Sequence, residues 1–234
     1  ALAQRLEAAG YQRLDERELR LSDLLYLSGV DASAYPRTMS YLRRLPAGLL
    51  SHPQCESKAS LYREALRNLP RKLDLDGLDP LLADYVRDPL PMSSWVPEVV
   101  NTALYLAMAD QVFGDDEKFL QWVSDFSQKV FEAPMYRVLM AVASPERLAA
   151  GGERRWNNFH TGVDYELKVV PGGTHSRFGF PPHLYDSLAL RATLKAIEAA
   201  YRASGARGAR AELLAMGPTT AEFRVVWYPD GAGR

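Results

Sequence analysis

A chain of 234 residues with 28 basic and 29 acidic side chains carries a formal net charge of −1. That balance gives no general electrostatic drive toward nucleic acid or anionic membrane, and a composition 47% hydrophobic and 24% charged excludes wholesale disorder. A single cysteine, Cys55, excludes an internal disulfide and a four-thiolate zinc site.

Residues 2–9, with Leu2, Leu6 and Ala9 on one side, and residues 14–27 predict two short helices. No apolar run approaches the ~20 residues that cross a bilayer. The opening "ALAQRLEAAGYQRLDERELR" also lacks the basic-then-apolar order of a secretion signal. A cytoplasmic protein is the expectation.

In "ESKASLYREALRNLP", Leu61, Ala65 and Leu66 share a helical face that stops at Pro70. "DLDGLD" has the acidic density of a calcium loop but not its spacing. Asp79 before Pro80 reads instead as an N-cap, opening a helix with Leu78, Leu81, Leu82, Tyr85 and Val86 inward. "VPEVVNTALYLAMADQVF" is apolar nearly all round, so a buried central helix is expected. After Asp115 and Asp116, both suited to cap a helix, Phe119, Trp122, Val123, Phe126 and Val130 recur at helical spacing. "MYRVLMAVA" predicts one more helix with Tyr136, Leu139, Met140 and Ala143 inward.

The period then changes from helical to alternating. In "VDYELKVV", Val163, Tyr165, Leu167 and Val169 alternate with charged residues, as in a half-buried strand. "PGGT" turns the chain and "HSRFGF" returns, with Leu167 set opposite Phe178 and Tyr165 opposite Phe180. A helix over residues 183–202 places Leu190, Leu194, Ile197 and Tyr201 inward, and the glycines of "SGARG" close it. "ARAELLAM" and "AEFRVVWY" supply two last strands.

The fold class is therefore α+β: a helical N-terminal half, then a ββαββ antiparallel four-stranded sheet with one helix packed on it. The expected organisation is an N-terminal helical extension over residues 1–44, a helical subdomain over 45–150 and a sheet subdomain over 151–234. Residues 45–234 are expected to form one compact unit.

Motifs for common chemistries are missing. There is no G-x-S-x-G elbow, G-x-x-x-x-G-K, G-x-G-x-x-G or H-E-x-x-H. His52, His160, His175 and His183 are scattered, and Lys168 and Arg177 beside His175 would repel a cation, so no metal site is expected. Cys55 lies three residues from His52 just ahead of a helix. That placement suggests a thiolate nucleophile less strongly than a structural thiol.

"GGERRWNNFHTG", residues 151–162, lies where helices give way to strands. Arg154 and Arg155 beside Trp156 and Phe159 could hold a phosphate and stack a base. With a balanced net charge we favour a turn into the sheet. Its rings would plug the seam between the halves, and its arginines would bind helix-end carbonyls or carboxylates.

The order of these features resembles an uncharacterised paralogous family abundant in myxobacteria, a domain of unknown function. The resemblance runs through "GLLSHPQCESKASLYREALRNLP", "PLPMSSWVPEVVNTALYLAMADQVFGDDEKFLQWV", "VFEAPMYRVLMAVASPERL", "RRWNNFHTGVDYELKVV" and "FPPHLYDSLALRATLKAIEAAYRASGARGARAELL". It is distantly similar in turn to haem–nitric-oxide-binding domains and to vinyl-reductase-type small-molecule sensor domains. The latter carry a cysteine-rich zinc site, which one cysteine cannot reproduce. The former carry Y-x-S-x-R, to which Tyr201, Ser204 and Arg207 correspond with the wrong spacing. No cofactor is carried over.

The functional expectation is a non-catalytic regulatory or sensory module binding a small, mostly apolar ligand between helices and sheet. Its lining would come from Trp122, Phe126, Tyr136, Trp156, Phe159, Phe178 and Phe223. The alternative is a homodimer or protein-interaction module. It would use an outer sheet face bearing Leu214, Met216, Val226 and Tyr228.

Overall fold

The computed structural model describes residues 34–132 and 144–228. The helices expected over residues 2–9, 14–27 and 135–143, Tyr136 among them, lie outside the described residues.

The helical half begins with α1 (Pro36–Arg44), whose first amides are capped from far along the chain. The Arg37 and Thr38 backbone N–H groups donate to the Asp110 carboxylate at 3.1 and 3.0 Å. Then follow β1 (Glu56–Lys58), α2 (Ser60–Arg67), α3 (Pro80–Arg87), β2 (Trp95–Pro97) and α4 (Glu98–Met108). Asp79 caps α3 as expected, accepting from the Leu81 and Leu82 amides with Pro80 at the first helical position. In α4 every residue except Tyr105 is buried, which is what its nearly uniform apolar surface demands.

α4 ends in a π-helical turn, Ala109–Phe113, closed by Gly114 N–H donating to the Ala109 carbonyl at 2.8 Å. Gly114, at φ +67, turns the chain into α5 (Asp116–Glu132), where Asp115 caps the Lys118 amide at 2.9 Å. Phe119, Val123 and Phe126 are buried along its inner stripe, at the helical spacing read from the sequence. Two short helices, α6 (Pro145–Ala150) and α7 (Gly152–Asn157), lead to β3 (His160–Thr161).

The larger sheet has strand order β4-β5-β7-β6, built from β4 (Asp164–Val170), β5 (Gly173–Gly179), β6 (Arg210–Met216) and β7 (Thr220–Val226). All its pairings are antiparallel, and α8 (Ser187–Ala203) connects β5 to β6. α8 packs on α5 on one side and on the sheet on the other. The fold is α+β, with the ββαββ unit in place. One main core cluster runs from Tyr35 and Tyr41 through α4 to Phe178 and Phe223, so both halves share it.

Several local expectations are corrected. "ESK" is a strand, not the first turn of α2: Ser57 pairs with both Val96 and His160, and such long-range pairing leaves no trace in local periodicity. Of the expected face Leu61, Ala65 and Leu66, only Ala65 is buried in α2, joined by Tyr62, while Leu61 and Leu66 are half-buried. The β4–β5 register differs by two residues, with Tyr165 opposite Phe178 and Leu167 opposite Ser176. Val170 already pairs with Gly173, so the turn holds only Pro171 and Gly172, and the shorter loop shifts the ladder. A slip of two keeps every side chain on its face. α8 starts at Ser187, later than expected, because Asp186 caps the Leu188 amide.

Met216 is not on the outer face. A bulge between Leu213 and Ala215 adds one residue to β6, so Met216 pairs with Ala221 and packs against the core while Leu214 stays out. Val226 and Tyr228 are exposed, as expected, but the outer face around them also carries the Glu212–Arg224 ion pair at 2.7 Å.

Both edges of the sheet carry a carboxylate. Leu167 N–H on β4 donates to Glu153 at 2.9 Å, and Ala211 N–H on β6 donates to Glu198 at 3.0 Å. Glu198 is buried within α8 and is held in turn by Arg202 and Lys195.

Candidate functional site at the helix–sheet seam

The residues 151–162 are not a turn. They form α7 and enter β3, which completes a three-stranded sheet in the order β2-β1-β3. Directly paired antiparallel residues share a face, so Ser57, Val96 and His160 point together, and all three are buried. β2 runs straight into α4, which puts Glu98 in the first turn, where the helix dipole favours a carboxylate. The Glu98 amide is fixed by the Cys55 carbonyl at 2.9 Å. Gly162, at φ +71, ends β3 against residues 54 and 55, where a Cβ would fall on the Gln54 carbonyl oxygen.

This packing brings a carboxylate and an imidazole together in the interior. His160 Nδ1 lies 3.0 Å from Glu98 Oε2, and Glu98 is only 1% exposed. The indole of Trp156 stacks on the His160 ring, centroids 3.7 Å apart and planes 9° from parallel. From Trp156 the ring contacts continue into the large sheet: Phe178 at 4.4 Å, then Tyr165 at 5.0 Å and Phe223 at 4.8 Å from Phe178. Tyr185 closes the seam from the loop before α8, and burial beside Glu98 pushes its phenol pKa well up. Three buried polar atoms here have no hydrogen-bond partner, Ser57 Oγ, Asn101 Oδ1 and Trp156 Nε1, and the Tyr185 hydroxyl is set against the Glu98 carboxylate.

Neither nucleophile in this neighbourhood is activated. The Cys55 thiol donates to the Gly162 carbonyl at 3.1 Å, and burial with the nearby Glu98 charge raises its pKa to about 11. It therefore stays protonated at neutral pH. His52, 3.0 Å from the Pro182 carbonyl, is held elsewhere. Ser57 makes no hydrogen bond to His160, so no acid–imidazole–hydroxyl relay is assembled. Cys55 should be silent to a thiol-reactive dye in the native protein at neutral pH and label fully on unfolding. Fast native labelling, read by intact mass, would show that the thiol is exposed.

Of the residues singled out in the sequence, Trp156, Phe178 and Phe223 come together. Trp122 and Phe126 belong to a second ring group on α5 with Phe113 and Phe119, and Trp122 Nε1 donates to the Asn68 carbonyl at 3.1 Å. Phe159 is 41% exposed. Arg155 donates to the Arg147 and Leu148 carbonyls, as a helix-end clamp would, and Arg154 is exposed. Sequence reasoning passed over Ser57, Glu98 and Tyr185, and took Tyr165 only as an inward strand residue. Only Glu98 left a signal there, as the one carboxylate inside "WVPEVV". Among the described residues no group of three or more His, Cys, Asp or Glu is placed to hold a metal, and no helix is long and apolar enough to cross a membrane.

No protein-family model matches the chain. No curated protein matches it either. Among solved structures, it is similar to one described under the function of heme distortion in the H-NOX family. That likeness has 8% identity and a TM-score of 0.47, covering 73% of this chain and 93% of that one. It is also similar to the Fe(II) unliganded H-NOX protein from K. algicida at 10% identity and TM-score 0.43, covering 76% and 100%. A mutant of that protein gives 12% identity and 0.44, covering 74% and 98%. The heme belongs to those proteins. Here the Trp156–Phe178–Phe223 stack fills the space between helices and sheet, and the imidazole of His160 is held by Glu98 and covered by Trp156. These residues do not fit a haem.

Proposed function

We propose that this chain is a non-catalytic, cytoplasmic sensory module that binds a small, mostly apolar molecule at the seam between its helical half and its sheet. The observation that carries the reading is the seam itself: a continuous aromatic stack that ends on a buried acid–imidazole pair bordered by unpartnered polar atoms. A purely structural core tends to avoid such atoms, because each costs about 1–3 kcal/mol when left unpaired. Apolar walls with a few polar groups are the usual make-up of a small-molecule site. The protonated Cys55 and the unassembled hydroxyl of Ser57 support a binding role over a catalytic one. The sequence resemblance to a myxobacterial paralogous family is part of the same proposal.

Native mass spectrometry of the freshly purified protein, compared with its denatured mass, tests this. Extra mass lost on denaturation is the expected result. A bare mass, together with no stabilisation in a thermal-shift screen of small apolar compounds, would sink the reading. A second reading, self-association through the outer sheet face, is favoured by the exposure of Leu214, Val226 and Tyr228. It would take over if the bare protein proved dimeric and Leu214→Glu returned it to a monomer.

A further inference from the structure

The outer face of the large sheet carries its charges in an ordered pattern. Directly paired antiparallel residues share a face. Lys168, His175 and Arg224 therefore form one row across β4, β5 and β7, and Glu166, Arg177 and Glu222 form the next. All six are exposed. Residues two apart along a strand stand about 7 Å apart, so a net positive row lies about 7 Å from a net negative one.

These charges do not neutralise one another. Arg177 sits opposite a glutamate on either side, the arrangement in which cross-strand ion pairs usually close. In the same ladder Arg224 does close on Glu212, at 2.7 Å. Yet among the described residues Glu166, Lys168, His175, Arg177 and Glu222 make no ion pair and no side-chain hydrogen bond. Their side chains stand apart around an open hollow of about 290 Å³, whose lining also includes Leu167, Ser176 and Glu153. Leu167 and Ser176 lie between the two rows with their side chains turned to the core, so the hollow has a backbone floor and charged walls.

Such walls select by charge. A simple anion drawn to Lys168 meets Glu166 two residues away on the same strand. A simple cation drawn to Glu222 meets Arg177 opposite it. A molecule that carries both signs at the spacing of the rows meets a counterpart at each end. Amino acids whose two charges flank a single carbon are too short to reach both rows.

We propose that this hollow receives short zwitterions whose charges stand several bonds apart, such as ω-amino acids or dipeptides. The carboxylate lies against Lys168 and His175, and the ammonium against Glu166. Glu222, on the far side of Arg177, offsets the guanidinium charge that would otherwise repel the ammonium. The hollow is separate from the seam, so this proposal stands or falls independently of the sensory reading.

The test titrates the intact protein with 5-aminopentanoate, pentanoate, pentylamine and glycine, following backbone amides by NMR. 5-Aminopentanoate should move the amides of residues 166–168 and 175–177. It should bind at least about fivefold more tightly than the other three, the gain expected from one good exposed ion pair. Lys168→Gln should lower its affinity to that of pentylamine, and Glu166→Gln to that of pentanoate. Neither side chain is bonded in the folded protein, so both variants should keep the wild-type melting temperature.

Pentanoate, pentylamine or glycine binding as tightly as 5-aminopentanoate would overturn the proposal. So would saturable shifts confined to other parts of the chain, or no saturable shift at all.

Discussion

Phe178→Ala is expected to destabilise the protein by about 3–5 kcal/mol, the usual cost of deleting a fully buried aromatic ring. Phe178 is 0% exposed and contacts Trp156, Tyr165, Tyr185 and Phe223, so its removal opens the centre of the seam from four sides. Phe159→Ala, only a few residues from the same seam but 41% exposed, should cost within about 0.5 kcal/mol. Urea unfolding of both variants at equal ionic strength reads the difference. A loss under 1 kcal/mol for Phe178→Ala would mean that the rings can close over the gap, and that the seam is far more pliable than its stacking geometry indicates.

The second large effect belongs to Asp110, at the other end of α4. Its side chain is fully buried and accepts from the Arg37 and Thr38 amides, the Arg37 guanidinium and the Thr38 hydroxyl. Asp110→Ala should cost about 3 kcal/mol, because it uncaps α1 and leaves a partly buried guanidinium short of its carboxylate. Arg37 also pairs with Asp116 at 2.7 Å, a shorter contact. Yet Asp116 is 43% exposed, and solvent screening holds such a pair to about 0–1 kcal/mol. Distance alone would rank the two carboxylates the wrong way round; burial decides. If Asp116→Ala proved the costlier change in a denaturant titration, the capping account of α1 would be wrong.

Much of the architecture was legible because it rests on local rules. Asp79 before Pro80, the apolar circumference of α4, the helical stripe of α5 and the alternation in β4 each specify their element within a dozen residues. What escaped notice is what the chain decides at long range. β1, β2 and β3 are too short to show a period, and β2 and β3 are strands only through their pairing with β1. The bulge at Leu214 is equally silent, since alternation read through β6 gives no warning that one residue is extra.

The candidate site was half legible for the same reason. Trp156 and Phe178 stand out by size and by their place at the change of period. Glu98 and His160, 62 positions apart, become partners only through the β1–β3 and β2–α4 junctions. Trp122 and Phe126 were grouped with the seam because aromatic character carries no address; their ring contacts are with Phe113 and Phe119 instead.

The carboxylates at the two ends of the large sheet bear on how this protein behaves in a crowd. An edge strand with free amides is a template on which a neighbouring chain can add a strand, and the product can then recruit the next. Here an incoming backbone would have to displace Glu153 at one border and Glu198 at the other, and Glu198 is itself anchored by Arg202 and Lys195. Strand addition to the native state is thereby opposed at one amide on each border. High expression should leave this chain dispersed until heat or denaturant frees those two glutamates.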